Sequence, residues 1–373
     1  MKITIIHPHT INYPGGAEKW IIDVSTRLVK RGHRVSVVYT SASLNPLMKT
    51  CNSRILKRHG VELVKCSSIK LPIGFPLINP WCVLEHVVDS ELVYLMSYPP
   101  NEILYSLFRK RIRKPIVVGF HSIPDLYSLP YRLYMGFSIR FYKKFDYLHV
   151  TTWSFYKILT ITYNVPPDKV CVIPNGIETR KYYIEDSGEP FRVLWTGRLC
   201  FDKGADILCR IIERFNEEYR GIASKIEFVV TGSGPYSKYI EAIARKYGNV
   251  KYLGYLDASD LRKVYASSHL YLAPSRSEGL SLRVLEALAS GLPVIASRVT
   301  GLVDLVKNRF NGNLVDLLDI NSYVKYIMDY YSIWSRDREY YTLIRNRIRE
   351  YIVSRYDIEH IVDMLELFFK NIV

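Results

Sequence analysis

Two carboxylates eight positions apart, Glu278 and Glu286, frame residues 274–297, PSRSEGLSLRVLEALASGLPVIAS. Between them a helix must begin near Leu280, Ser281 and Leu282, and the free N–H groups of a helix start bind an anion without any side chain. Carboxylates on either side would accept hydrogen bonds from sugar and ribose hydroxyls, so the stretch could cradle a nucleotide sugar. The same spacing also fits a solvated loop carboxylate and an exposed helix position paired with Arg283. Arg198 and Lys203 stand five apart on one loop leading into a helix. Both could point at a single diphosphate, whose charge grows as it leaves, or they could be two exposed surface cations. His121 ends the apolar run PIVVGF, and the carboxyl ends of strands line the ligand crevice in open α/β sheets. A lone histidine is also an ordinary structural residue.

These residues need rigid elements to hold them. Residues 271–273 end an apolar run, and the Pro, Gly and small polar residues of 274–279 force a loop. Leu282, Leu285, Glu286 and Ala289 recur at helical spacing; Gly291 and Pro293 stop that helix, and 294–296 start the next strand. The pattern repeats along the chain. Strands are predicted at 3–7, 35–39, 61–65, 92–96, 116–120, 147–151 and 170–174, then at 191–195, 226–230 and 250–255. Apolar runs of this length between helical segments predict doubly wound, mostly parallel sheets. The Pro-rich stretches 70–82 and 96–101 are read as loops. Residues 178–190 are polar and read as a linker, and from 320 onward the chain reads as helical. Gly15-Gly16 and Gly232-Ser233-Gly234-Pro235 are turn punctuation or places where backbone meets a ligand.

A chain of 373 residues with 48% hydrophobic content suggests two domains with ordinary cores. No apolar run is long enough to span a bilayer. The start, MKITIIHP, lacks a signal-peptide layout, so a cytosolic protein is expected. Six scattered cysteines without CxxC pairs indicate neither a zinc site nor a disulfide. No Asp-x-Asp triplet occurs, so no essential metal is expected, and charge neutralisation falls to Arg198, Lys203 and the helix start. Of the net charge of +15, residues 1–177 carry +13 (23 Lys+Arg, 10 Asp+Glu) and 178–373 carry +2 (28 against 26). The basic half calls for an acidic partner: an anionic membrane surface, a phosphorylated lipid or nucleic acid. Residues 109–114 (RKRIRK) and 131–145 (YRLYMGFSIRFYKKF) are the candidates for touching lipid headgroups; a core helix with a solvated basic face is the alternative.

The string from Pro274 to Ser297 resembles the signature of the retaining, nucleotide-sugar-dependent glycosyltransferases of group 1, in which a Glu is followed by seven residues and a second Glu. PGGAE at 14–18 resembles their first-domain glycine loop, IPNGI their domain boundary, GRL with DKG their diphosphate clamp, and GSGP a loop at the donor edge. The resemblance implies a GT-B fold: two Rossmann-like domains, 1–177 for the acceptor and 178–350 for the donor, facing across a cleft, with 351–373 returning to the first. It implies a hexosyl transfer from a UDP- or GDP-linked sugar to a hydroxyl acceptor, lipid-linked or a growing glycan. Arg198 and Lys203 would hold the diphosphate, Glu278 and His121 the sugar, and Glu286 the ribose. Gly15, Gly16, Gly232, Gly234 and the N–H groups at Leu280, Ser281 and Leu282 would line the donor. Ser122 stands where the family often has Asp, and Asp125 is not assigned that role; Asp304 stands where Glu is common. The implied partners are nucleotide sugar, acceptor and a cytoplasmic membrane face, with no nucleic acid. A sugar-nucleotide epimerase on the same fold and a basic non-catalytic binding protein are the rival readings.

Overall fold

The computed structural model of the chain describes residues 1–43, 50–71, 76–121, 129–185 and 187–373, side chains at 129–131 excepted. It divides into two compact units, Met1–Gly176 with Ile358–Val373, and Ile177–Asp357.

In the first unit β1 (Lys2–His7), β2 (Arg34–Tyr39), β3 (Glu62–Lys65), β6 (Leu92–Met96), β7 (Ile116–Phe120), β8 (Tyr147–Val150) and β9 (Val170–Val172) form one parallel sheet in the order β3-β2-β1-β6-β7-β8-β9. Side chains alternate across it: Ile3 and Ile5 enter one layer, Ile6 the other. Helices α1 (Gly16–Lys30) and α2 (Asn52–Arg58) pack one layer, and α3 (Pro80–Val87), α4 (Asn101–Leu107), α5 (Leu129–Tyr142) and α6 (Trp153–Lys157) the other.

Two expectations fail here for one reason. Part of the 70–82 loop is a small antiparallel ribbon, β4 (Ser68–Lys70) with β5 (Pro76–Ile78), and α3 follows at once with Pro80 in its first turn. The ribbon doubles the chain back, so that the Asn79 amide donates to the Ser67 carbonyl at 2.9 Å. Cys66 and Cys82 thereby come within 6.0 Å, Cα to Cα, and are disulfide-bonded, within the reach such a bond requires. Nothing in a spacing of sixteen announces that pair; only the unanticipated ribbon makes it. The other four cysteines are free, Cys51 exposed and the rest half-buried.

The second unit has β10 (Phe191–Thr196), β11 (Ile226–Thr231), β12 (Val250–Tyr252), β13 (Leu270–Ala273), β14 (Val294–Ser297) and β15 (Gly312–Val315), all parallel, in the order β12-β11-β10-β13-β14-β15. Helices α7 (Ala205–Glu218), α8 (Ser237–Lys246), α9 (Ala258–Ala266), α10 (Leu282–Ala289), α11 (Leu302–Leu305), α12 (Ile320–Arg336) and α13 (Arg338–Tyr356) cover it. Stretch 178–190 is no free linker: Thr179 and Tyr182 are buried, and Tyr182 joins the core with Leu285 and Leu288. The predicted returning segment 351–373 is split. α13 runs on to Tyr356, extended backbone at Asp357 breaks it, and α14 (Ile358–Ile372) belongs to the first unit. There Ile361, Val362, Leu365 and Phe369 enter the layer of α1, and Arg31 binds Glu366 at 3.0 Å.

The strand order reverses between β10 and β13, and ligands of doubly wound sheets sit at such a switch point. The loops after these two strands are fastened by backbone contact. The Gly197 amide donates to the Thr231 carbonyl and the Leu199 amide to the Ser233 carbonyl. Gly232, at φ +128, lies against the Gly197 carbonyl, where any Cβ would overlap. Gly204, at φ +67, lies likewise against the Pro274 carbonyl, which joins the β10 loop to the β13 loop. Arg276 closes the joint: its guanidinium meets both Asp206 oxygens at 2.6 and 2.7 Å and stacks on Phe201 at 3.6 Å. Burial opposes ionisation of Asp206, yet Arg276 more than offsets this and holds its carboxyl below the ordinary value.

Gly232→Ala should therefore cost at least the ~1–3 kcal/mol of a strained backbone conformation and lower the midpoint of thermal unfolding. Gly221→Ala, where an added Cβ meets open space, should stay within about 0.5 kcal/mol. Calorimetry of the two variants checks the difference; equal midpoints would refute the packing account.

Candidate active site

At the switch point of the second unit, Lys203 Nζ lies 2.8 Å from Glu278 Oε1. The Ser275 hydroxyl donates to the same oxygen at 3.0 Å. Lys203 ends a short turn, Phe201–Lys203, directly before Gly204, so the close approach of Gly204 to Pro274 is what sets the pair. Arg198 stands between the two fastened residues Gly197 and Leu199, its side chain exposed. Gly232 and Gly234 thus have a different explanation from a ligand's approach: their missing Cβ atoms make room for the carbonyls of Gly197 and Leu199. They position Arg198 from beneath.

α10 begins at Leu282 with Ser281 as its cap residue, and the Ser281 hydroxyl caps no N–H group. Leu280 and Ser281 are buried and Leu282 is half-buried, which packs these side chains toward the core. One turn further on, Glu286 is buried, not an exposed helix position. Its Oε2 accepts from Arg283 at 2.8 Å and from the Tyr265 hydroxyl at 3.2 Å. Tyr265 in turn meets the Thr196 hydroxyl at 2.9 Å. Burial and the Glu286 charge raise the Tyr265 and Tyr182 phenols, which stay neutral donors. Asp304 lies half-buried in α11.

In the first unit the carboxyl ends of β1, β6, β7 and β8 hold a cluster of histidine and aromatic rings. His121 is not a free ligand contact. Its Nε2 meets the Tyr94 hydroxyl at 2.8 Å, its Nδ1 faces the Asn175 amide at 3.2 Å, and its ring leans on Trp20 with centroids 4.3 Å apart. The protons can be placed by following the chain of bonds. His149 Nε2 reaches the Ile173 carbonyl at 2.7 Å, an acceptor only, so that nitrogen carries the proton. Burial holds His149 down at about 4, so the neutral ring accepts at Nδ1 from the Tyr94 hydroxyl, 2.6 Å away. Tyr94 then accepts from His121 Nε2, and His121, pushed low by burial and by His149, is left with a bare Nδ1. That nitrogen lies 3.2 Å from Asn175 Oδ1, so the proton order closes only with the amide turned over to present its NH2 group as donor. A mid-strand glycine makes this possible: a Cβ on Gly119 would collide with the Tyr94 hydroxyl.

Gly15 and Gly16 open α1, and Gly15 has ordinary negative φ. Its missing Cβ leaves room for the Glu18 carboxylate, which is buried and 3.1 Å from His7 Nε2. Ser122 and Asp125 lie outside the described residues. Arg276, Ser275, Tyr265, Tyr94 and His149 were not found by sequence reasoning. Glycine at position 119 inside a strand was the one available signal, because it marks close approach. Among the described residues no three His, Cys, Asp or Glu are placed to hold a metal ion.

The chain was compared with known families and proteins. Residues 180–350 match the model of glycosyl transferases group 1, and residues 14–181 match that of glycosyltransferase family 4. An uncharacterised glycosyltransferase of Methanocaldococcus jannaschii is 28% identical over 84% of this chain and 84% of its own. One subunit of the human phosphatidylinositol N-acetylglucosaminyltransferase is 29% identical over 79% of this chain and 62% of its own. The Anabaena protein HepE, solved with UDP, superposes with a TM-score of 0.76 at 18% identity, covering 100% of both chains. The parallel sheets of both units and these matches lead to one conclusion: the chain is a GT-B-fold enzyme that transfers sugar, and it belongs to the group 1 glycosyltransferases.

Proposed function

We propose that the protein moves a hexosyl group from a UDP- or GDP-linked sugar to a hydroxyl acceptor and retains the anomeric configuration. The observation that carries this reading is the Lys203–Glu278 pair at the switch point of the second sheet. An ammonium has three N–H donors. Glu278 takes one, which orients the others toward a diphosphate, and Glu278 in turn is held to face sugar hydroxyls. Arg198, on its fastened loop, supplies a second cation, and the start of α10 supplies backbone N–H groups. Together they stabilise the charge that collects on the leaving diphosphate. The buried Glu286 takes the ribose. Donor and acceptor held on one face then react without a covalent intermediate, because orientation alone removes much of the barrier. No metal is required in this scheme. His121, with both nitrogens engaged inside its own unit, contributes a fixed ring rather than a mobile base.

Two finer points belong to the same proposal. A lipid-linked acceptor is supported by the name of the human relative, which includes phosphatidylinositol. A place on the cytoplasmic face is supported by the basic first half, which an anionic leaflet attracts, whereas the Cys66–Cys82 bond runs against a reducing compartment. A free-thiol count on protein taken from whole cells with its thiols trapped by alkylation decides between them: six free thiols would fit a reducing compartment, four an oxidising one.

Glu278→Ala should lower transfer about 10²–10³-fold, the range for losing one preorganised charge contact, with the melting midpoint of the variant read alongside to separate lost chemistry from lost folding. Assays of transfer from a panel of nucleotide sugars test this, after a thermal-shift screen has found the base. Near-normal transfer by Glu278→Ala would sink the assignment, and conversion of the donor with no acceptor present would point to an epimerase.

The first unit also sets an acid limit. Burial, with the neighbouring His7, holds His9 at about 4, and burial holds His149 there too, against an ordinary 6.5. Between these values the unfolded chain binds more protons, so stability present above pH 6.5 is lost as the pH falls toward 4. The loss is roughly 3 kcal/mol for each ring, offset in part by Glu102, whose carboxyl is pushed up to about 7 by burial and which gains stability over the same fall in pH. Melting curves across this range should fall steeply; a flat profile would contradict the buried, neutral state of both rings.

A further inference from the structure

Residues 103–145 hold nine Lys+Arg against a single Asp, and the described part of this stretch lies largely on one face of the first unit. α5 buries Met135, Ser138 and Tyr142 and exposes Arg132, Leu133, Phe137 and Arg140. The exposed stripe is thus apolar and basic at once: Leu133 is 65% and Phe137 51% accessible. The Arg140 guanidinium sits 4.1 Å from the centre of the Phe137 ring, and Lys144 lies 5.2 Å from that of Phe141. The stripe continues across α4. Lys144 borders one pocket with Leu107, Arg109 and Lys110, and beyond it Arg111 covers the rings of Trp81 and Phe108 at 5.4 and 5.7 Å. Leu107 and Trp81 are 63% and 57% accessible. Arg109 pairs with Asp146 at 2.7 Å; among the described residues Lys110, Arg111, Arg140 and Lys144 make no ion pair.

We propose that this α4–α5 face is a docking surface for an anionic lipid bilayer, seating Trp81, Leu107, Leu133 and Phe137 at the headgroup boundary while Lys110, Arg111, Arg140 and Lys144 meet lipid phosphates. Charge complementarity selects the occupant. Cations stacked on aromatic rings suit phosphates of any source, but accessible leucines beside them have no use on a nucleic acid and lose water at an acyl boundary. Each surface cation adds about 1 kcal/mol of attraction to an anionic leaflet. No described helix is long and apolar enough to cross a membrane, so the contact is interfacial. The proposal stands apart from the transfer reaction, because vesicle binding is read without donor or acceptor.

The test is co-sedimentation of the full chain with phosphatidylglycerol vesicles and with phosphatidylcholine vesicles. Binding to the anionic vesicles at low salt is expected, with a blue shift of tryptophan emission that Trp81→Phe diminishes. Lys110→Glu with Lys144→Glu should lower the partition coefficient about 25-fold or more, at fivefold for each cation removed. Leu133→Ser with Phe137→Ser should lower it about tenfold at unchanged charge. Arg54→Glu with Lys57→Glu is the control, an exposed basic pair on α2, which packs the other face of the sheet. Absence of vesicle binding would overturn the proposal, as would a control loss equal to that of the α4–α5 reversal. Binding to single-stranded RNA that the α4–α5 reversal abolishes, without vesicle binding, would overturn it in favour of a nucleic acid.

Discussion

Everything in the second unit that could act on a donor depends on backbone meeting backbone at the carboxyl edge of its sheet. A side chain as short as alanine at Gly204 would push against the Pro274 carbonyl, and the β10 and β13 loops would part. Lys203 and Glu278 come from those two loops. Their 2.8 Å contact is therefore a consequence of carbonyl packing more than a cause of it. Arg276, gripping Asp206 and stacked on Phe201, holds the loops at the same relative height. Charge chemistry sits on top of a steric joint.

The first unit solves its positioning problem by other means. Its carboxyl edge has little ion pairing around His121. The ring is held by a hydroxyl, an amide and an indole, and with neutral rings the proton order along Ile173, His149, Tyr94 and His121 requires the Asn175 amide to present its NH2 group to His121. Burial enforces that neutrality. The two clusters are therefore held differently: the second by ion pairs over packed backbone, the first by neutral buried rings.

Much of this was legible in the chain itself. Strands and the main helices followed from apolar runs of four to six residues between helical stretches, because parallel sheets covered on both faces leave that trace. The fold and family followed from the string at 274–297, which is local in sequence. What escaped is what depends on distant partners. Arg276 lies in the middle of the recognised motif, yet its partner Asp206 is seventy residues away. Tyr94 reads as one more strand residue until Gly119 is laid beside it. The disulfide escaped because the ribbon that creates it, Ser68–Lys70 with Pro76–Ile78, contains a proline, Pro76, that otherwise argues against a strand.

The asymmetry of charge makes physical sense on the same terms. In the second unit the cations at the carboxyl edge and beyond are answered locally: Arg192 by Glu227, Lys203 by Glu278, Arg276 by Asp206, Arg283 by Glu286. A cation that must stabilise a transient charge has to be oriented beforehand, and a carboxylate neighbour does that at the cost of net charge. On the α4–α5 face Arg109 pairs with Asp146, and Arg111, Arg140 and Lys144 rest on aromatic rings, which orient them without neutralising them. Charge kept in that form is available only to something outside the molecule. Placing it beside accessible leucine and tryptophan is costly in water, and a surface that offsets the cost must accept both kinds of group at once. An anionic bilayer interface does so, and the excess positive charge of the first unit then has a physical use distinct from the chemistry of the second.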